Sequence, residues 1–201
     1  MSVYRIYVEK KPEFAVEAAG VLSDLRTVLM LDCVKGVRIL NRYDVEGIDR
    51  ADFDAARGTI FSEPQVDVTY DEMPDRSGMT VFGVELLPGQ YDQRADSCAQ
   101  CIQLAGSGER PVVRSARIYL LAGTIDGDAL AAIKRHLINP VESREASLET
   151  FETLQESHPD PEDVKTIEGF TELPDEALAD FVRTWGLAMD EADLRFCRRY
   201  F

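Results

Sequence analysis

Histidine is nearly absent: His136 and His158 are the only two in 201 residues. Set so far apart, they suggest no metal-ligand set, and no Ser-His-Asp or Cys-His constellation can be assembled around them. Four cysteines, Cys33, Cys98, Cys101 and Cys197, are too few and too scattered for a disulfide scaffold, which fits a reducing interior. No apolar run approaches the roughly 20 residues a membrane-spanning helix needs. The opening MSVYRIYVEKK alternates apolar and polar residues with no apolar h-region, which predicts a cytosolic chain without a secretory signal. Bases are scarce as well. Against 37 Asp and Glu stand 22 Lys and Arg, a net charge of −15. Such a surface repels a phosphate backbone and makes nucleic-acid binding a poor expectation. What is present, 45% hydrophobic and 29% charged residues, is globular, with length for one domain and an appendage or for two small domains.

The acidity is concentrated. Between Glu145 and Asp180 there are 12 acidic residues and one base, Lys165. With Pro159, Pro161 and Pro174 and few apolar residues, this stretch reads as an extended linker, and a boundary is expected near Ser143 to Ser147. Beyond it, Leu178, Phe181, Val182 and Trp185 have i, i+3, i+4, i+7 spacing, with Pro174 and Asp175 suited to a helix start and Gly186 to its stop. Asp190 then caps a second helix carrying Leu194, Cys197 and Phe201, with Arg195, Arg198 and Arg199 near its end to suit the dipole. The abrupt finish on Tyr200-Phe201 reads as a chain that continues.

Residues 1 to about 143 predict a repeat. Val3 to Glu9, Val34 to Leu40 and Val66 to Tyr70 are strand-like, and Phe14 to Leu31 and Asp52 to Phe61 helix-like, in the order β-α-β-α-β. Val81 to Leu87, Arg94 to Leu104, Val112 to Leu121 and Asp128 to Leu137 restart that order. Shifts of 77 to 79 residues superimpose Val8 on Leu86, Ile60 on Leu137, and Arg38-Ile39 on Arg117-Ile118. The expected fold is α+β: two fused repeats of ferredoxin-like type, about 1–76 and 79–143. Their open sheet faces bury against one another as an intramolecular pseudo-dimer. An acidic linker over 144–173 and a helical hairpin over 174–201 follow.

RIYVEKK (5–11), ILNRYDVEGI (39–48), FSEPQVDVTYDE (61–72), PGQYDQRADSCAQCIQL (88–104), INPVESREASLE (138–149) and GLAMDEADLRFCRRYF (186–201) together resemble the N-terminal region of long-form phosphoribosylformylglycinamidine synthase. The resemblance implies two fused copies of a PurS-like subunit and a linker region. It also implies a parent ligase of purine biosynthesis that converts formylglycinamide ribonucleotide, ATP and glutamine to the amidine. The partners implied are the synthetase and glutaminase domains of the same protein, beyond Phe201, and ATP and Mg belong to that synthetase domain. For the fragment itself the expectation is no cofactor, no metal, no nucleic acid and no membrane.

Two segments are candidates for the rim of the substrate pocket or for a domain interface. In the first, Gln90, Tyr91, Asp92, Gln93, Arg94 and Ser97 interrupt the apolar pattern between a strand and a helix. Asp92 is placed to cap that helix, and Arg94 offers a guanidinium fork suited to phosphate. The ordinary reading is an N-cap with solvated neighbours; the functional one is a loop facing the synthetase domain. In the second, Glu142, Ser143 and Arg144 follow a helix that Pro140 ends. They read either as a plain helix exit or as a docking contact. Cys98 and Cys101 form a C-x-x-C inside a probable helix, where burial is the better reading than redox or metal chemistry. Gly106-Ser107-Gly108 lacks the Lys-Ser/Thr of a phosphate-binding loop and reads as a turn. No catalytic residue is expected, so the fragment is predicted to brace the catalytic domains of its parent. A stand-alone interaction or small-molecule-sensing module is the alternative, and a thiol oxidoreductase a distant third.

Overall fold

The computed structural model describes all residues except 1, 107, 156–160, 162 and 165. The chain divides into two units, 1–156 and 157–201. The first is an α+β unit built on one six-stranded antiparallel sheet. In chain order it contains β1 (Tyr4–Lys10), α1 (Val16–Thr27), β2 (Val34–Glu46), α2 (Arg50–Ala56) and β3 (Asp67–Tyr70). Then come β4 (Met79–Leu86), α3 (Gln93–Ala105), β5 (Val112–Gly123), α4 (Gly127–Leu137) and β6 (Ser143–Ala146). The order across the sheet is β3-β1-β2-β5-β4-β6. Strands that correspond by position in the two halves thus sit symmetrically about the β2–β5 seam.

That seam corrects the expected packing. The two halves do not stack sheet against sheet; they join edge to edge, with pairing from Val34↔Gly123 to Glu46↔Val112. Both long strands are central, and the outer ones, β3 and β6, have only four residues each, which limits edge pairing with other chains. At one end of the seam Gly123 has φ +129, and a Cβ there would lie 2.0 Å from the carbonyl oxygen of Cys33. Only glycine fits that approach.

Register also overturns the Arg-Ile landmark. Side chains alternate faces along a strand, so a one-residue slip exchanges them. Ile39 lies with Phe82 and Tyr119 on the face covered by helices, whereas Ile118 lies with Leu40 and Leu120 on the other. The two Arg-Ile pairs are therefore not equivalent, although the order of elements does repeat.

The helices of the two halves pack in mixed pairs. Phe53 and Ala56 of α2 share a core with Cys98 and Ile102 of α3, over Ile6, Val8, Tyr43 and Val45. Ala18 and Leu25 of α1 share the other core with Ile133 of α4, over Ile39, Phe82, Tyr119 and Leu121. Each core thus holds one helix from each half. On the opposite face Tyr7, Leu40, Ala116, Ile118, Leu120 and Ala146 form a third cluster, flanked by Met73, Met79 and Leu148.

The boundary expected near Ser143 to Ser147 instead holds β6, which pairs with β4 from Gly83↔Ala146 to Leu86↔Ser143. SREA is too short and too polar to announce a strand. Residues 147–155, expected as linker, lie across the sheet as a strap. Arg42 donates to the Ser147 carbonyl at 2.5 Å, Arg5 to those of Leu148 and Glu149 at 3.0 and 2.8 Å, and Arg114 to that of Leu154 at 2.8 Å. The Phe151 ring lies 5.4 to 5.8 Å from the guanidinium carbons of Arg5, Arg42 and Arg114. Glu46 accepts the Leu154 N–H at 2.7 Å and the Thr153 hydroxyl at 3.0 Å. The Leu154 bond chiefly holds the Glu46 carboxyl below its ordinary range. Under the strap, Asp44 is fully buried between Arg5 at 2.5 Å and Arg42 at 2.9 Å.

The second unit contains α5 (Leu178–Trp185) and α6 (Glu191–Tyr200). Gly186 ends α5 with φ 60, and Asp190 and Asp193 form a reciprocal capping box on α6, as the residue types predict. Arg195 and Arg198 hold Asp175 at 3.0 and 2.6 Å. His158 lies outside the described residues.

Two outcomes follow. Residues 1–77 made alone lose one helix from each core, so size-exclusion chromatography will show no folded monomer; a monodisperse folded monomer refutes the dependence of each core on both halves. Replacing Asp44 with Asn removes the carboxylate charge between two buried guanidinium groups, which keep only their carbonyl acceptors, and will lower stability in urea titration by about 3 kcal/mol. Arg50→Ala, which removes an exposed i,i+4 pair with Asp54, will cost no more than about 0.5 kcal/mol.

Candidate functional site

The sequence after β4 turns through Pro88-Gly89, with Gly89 at φ +87, and the Gln90 N–H closes the turn on the Leu87 carbonyl at 3.0 Å. Asp92 then caps α3 as its residue type predicts, accepting the Ala95 N–H at 2.9 Å with Oδ1. Its Oδ2 accepts the Ser115 hydroxyl at 2.8 Å, which ties the helix start to β5. Arg94 donates to the Tyr43 hydroxyl at 3.2 Å and so reaches from one half to the other. Burial pushes the Tyr43 phenol above its ordinary pKa, and the bond from Arg94 opposes the shift.

The other candidate segment leaves α4 through a turn at Asn139 and Pro140. The Asn139 carbonyl accepts the Ser143 N–H at 2.8 Å and the Ser143 hydroxyl at 2.9 Å. The Glu142 carbonyl accepts the Leu87 N–H at 2.9 Å, so this turn is stitched to the loop that precedes α3. Segments some 50 residues apart therefore border one polar cleft of about 290 Å³, with Asp92 and Arg94 on one wall and Glu142 and Ser143 on another. Gln90 and Arg144 line an adjoining recess of about 150 Å³ that also touches Asp92. Arg144 donates to Glu85 at 2.8 Å.

Three of the candidates are not lining residues. Tyr91 is exposed and donates to Asp96 at 2.9 Å; that bond and one from Arg110 hold the Asp96 carboxyl below its ordinary range. Gln93 and Ser97 are exposed on α3. The cleft also contains Ser115 and Arg117 on β5, neither of which the sequence reading proposed as a site residue. The available signal was alternation: both stand on the helix-covered face, in step with Tyr119 and Leu121, where an apolar strand residue is the rule. Arg117 pairs with Glu17 of α1 at 3.2 Å. The lining offers two guanidinium groups, three carboxyls and three hydroxyls, enough to bind a polar group or a partner loop.

Among the described residues no three His, Cys, Asp or Glu side chains are grouped to hold a metal ion, and no helix is long and apolar enough to cross a membrane. Cys98 is buried and Cys101 is exposed. Burial pushes the Cys98 thiol up to about 12, so at neutral pH it is not a thiolate nucleophile. Comparison with protein-family models and with characterised proteins returns no match to this chain.

With iodoacetamide at pH 8, Cys101 of the native chain will alkylate while Cys98 stays protected until the protein is denatured, as read by peptide mass spectrometry. Equal labelling of the two, or a reversible Cys98–Cys101 disulfide, would favour the oxidoreductase reading instead.

Proposed function

We propose that this chain is the N-terminal, PurS-like bracing part of a long-form phosphoribosylformylglycinamidine synthase. One observation carries the reading: 88–104 and 138–149, two of the six segments on which the resemblance rests, border the same polar cleft. The symmetric order of the sheet supports it as well, since a fused pair of PurS-like repeats requires equivalent strands on either side of a seam.

In that role the chain performs no bond-making step. In the parent reaction ATP activates the formamide oxygen of the substrate, and ammonia released from glutamine displaces it. Such chemistry profits from keeping bulk water off the transfer path. A rigid unit holding synthetase and glutaminase in fixed relation raises the effective concentration of the shuttled ammonia. Arg94, Arg117 and Glu142 supply charges at a rim for the synthetase domain to meet, and the interlocked cores keep that rim from deforming.

Mixing the chain with the separately produced remainder of the enzyme will raise amidine formation per glutamine hydrolysed, and Arg94→Ala or Glu142→Ala will weaken that gain. A remainder equally active and equally coupled on its own defeats the bracing role.

A further inference from the structure

Each half of the sheet has a long strand that outruns its neighbour. β1 pairs with β2 only as far as Glu9↔Leu40, whereas β2 begins at Val34. The chain turns through Pro12–Phe14 into α1 beside the gap this leaves. There lies a cavity of about 640 Å³, within the usual size range of small-molecule sites. It shares no lining residue with the polar cleft beside α3.

Much of its wall is apolar and open to solvent. Phe14, Leu22, Val37, Ile39 and Val68 all line it. Phe14, just before α1, is 49% exposed, and Val68 on the edge strand β3 is 38% exposed. Apolar residues scattered singly over a surface need no account, but these two stand in one concave site. An apolar body set between them takes both out of water, which stabilises a complex by about 25 cal/mol for each Å² covered.

The charges around the cavity cancel except for one. Arg38 holds Glu9 through two bonds of 2.7 Å. Lys10 pairs with Asp67 at 2.8 Å, and Glu17 with Arg117 at 3.2 Å. Lys11 also lines the cavity, and its ammonium donates to the carbonyls of Pro64 and Gln65 at 2.8 Å each. Among the described residues it meets no carboxylate. The two carbonyls anchor the ammonium but leave its charge uncompensated and one of its three N–H donors unused. A single free cation beside an apolar wall selects a ligand with one negative charge and an apolar body.

We propose that the α1 cavity binds a small arylalkanoate, a monocarboxylate on a flat apolar body, with the carboxylate on Lys11 Nζ and the ring against Phe14, Leu22 and Val68. The assignment is independent of the bracing role, because the polar cleft takes no part in it.

The test is a titration of the intact 201-residue chain with phenylacetate, indole-3-acetate and their primary amides, followed by backbone amide chemical shifts along 11–22 and 36–39. At least one acid will saturate at millimolar concentration or below. Its uncharged amide will bind about tenfold more weakly, the equivalent of one charge-assisted hydrogen bond. Lys11→Gln, which keeps an N–H donor for the two carbonyls, will weaken the acid about tenfold and leave the amide unchanged. Ala19→Phe, at an exposed α1 position lining the cavity, will block acid and amide alike while leaving the fold intact by circular dichroism. The proposal is overturned if neither acid saturates, if the amide binds as tightly as its acid, or if either variant binds the acid as the native chain does.

Discussion

The pairing of β2 with β5 is the interaction on which everything else in the first unit depends. It joins two β-α-β-α-β halves into one sheet, and it aligns the helix-covered faces so that α1 can pack beside α4 and α3 beside α2. Neither half has a complete core without the other. A fused chain supplies both halves at once and avoids the association entropy that two separate subunits would have to overcome. The mixed pairing of helices then makes the seam costly to open, since separating the strands also empties two cores.

Charge is arranged with the same economy. The overall surface is strongly acidic, yet the least exposed ionic groups form a balanced cluster beneath the strap, with Asp44 between Arg5 and Arg42 and Glu46 held by backbone and hydroxyl donors. Desolvating such groups is costly unless each one finds partners. Here backbone carbonyls of residues 147–149 and 154 provide acceptors that side chains alone would not. The strap is therefore structural.

The pseudo-twofold also relates the recess beside the start of α1 to the cleft beside the start of α3. Both arise because a long central strand outruns its shorter neighbour. Their linings have diverged: charges and hydroxyls around Arg94, Arg117 and Glu142 in one, a larger apolar wall of Phe14, Leu22, Val37 and Ile39 edged by the Arg38–Glu9 pair in the other.

Much of this was legible in residue order. Alternation gave most strands, 3.6-residue spacing gave the helices, and Asp92, Gly186 and Asp190 marked helix ends through local chemistry alone. β6 was not legible, because four mostly polar residues carry no alternation. The strap was not either, because its bonds run from distant arginines to backbone carbonyls that look alike in any sequence. Local propensity and capping depend on neighbours a few residues away, so the sequence by itself determined the elements and their repeat. Which faces those elements bury, which half each helix serves, and whether Arg117 meets Arg38 or stands across the sheet from it depend on pairing register between strands about 80 residues apart. Only the tertiary structure decided those, because a slip of one residue reverses every side chain while leaving each local signal unchanged.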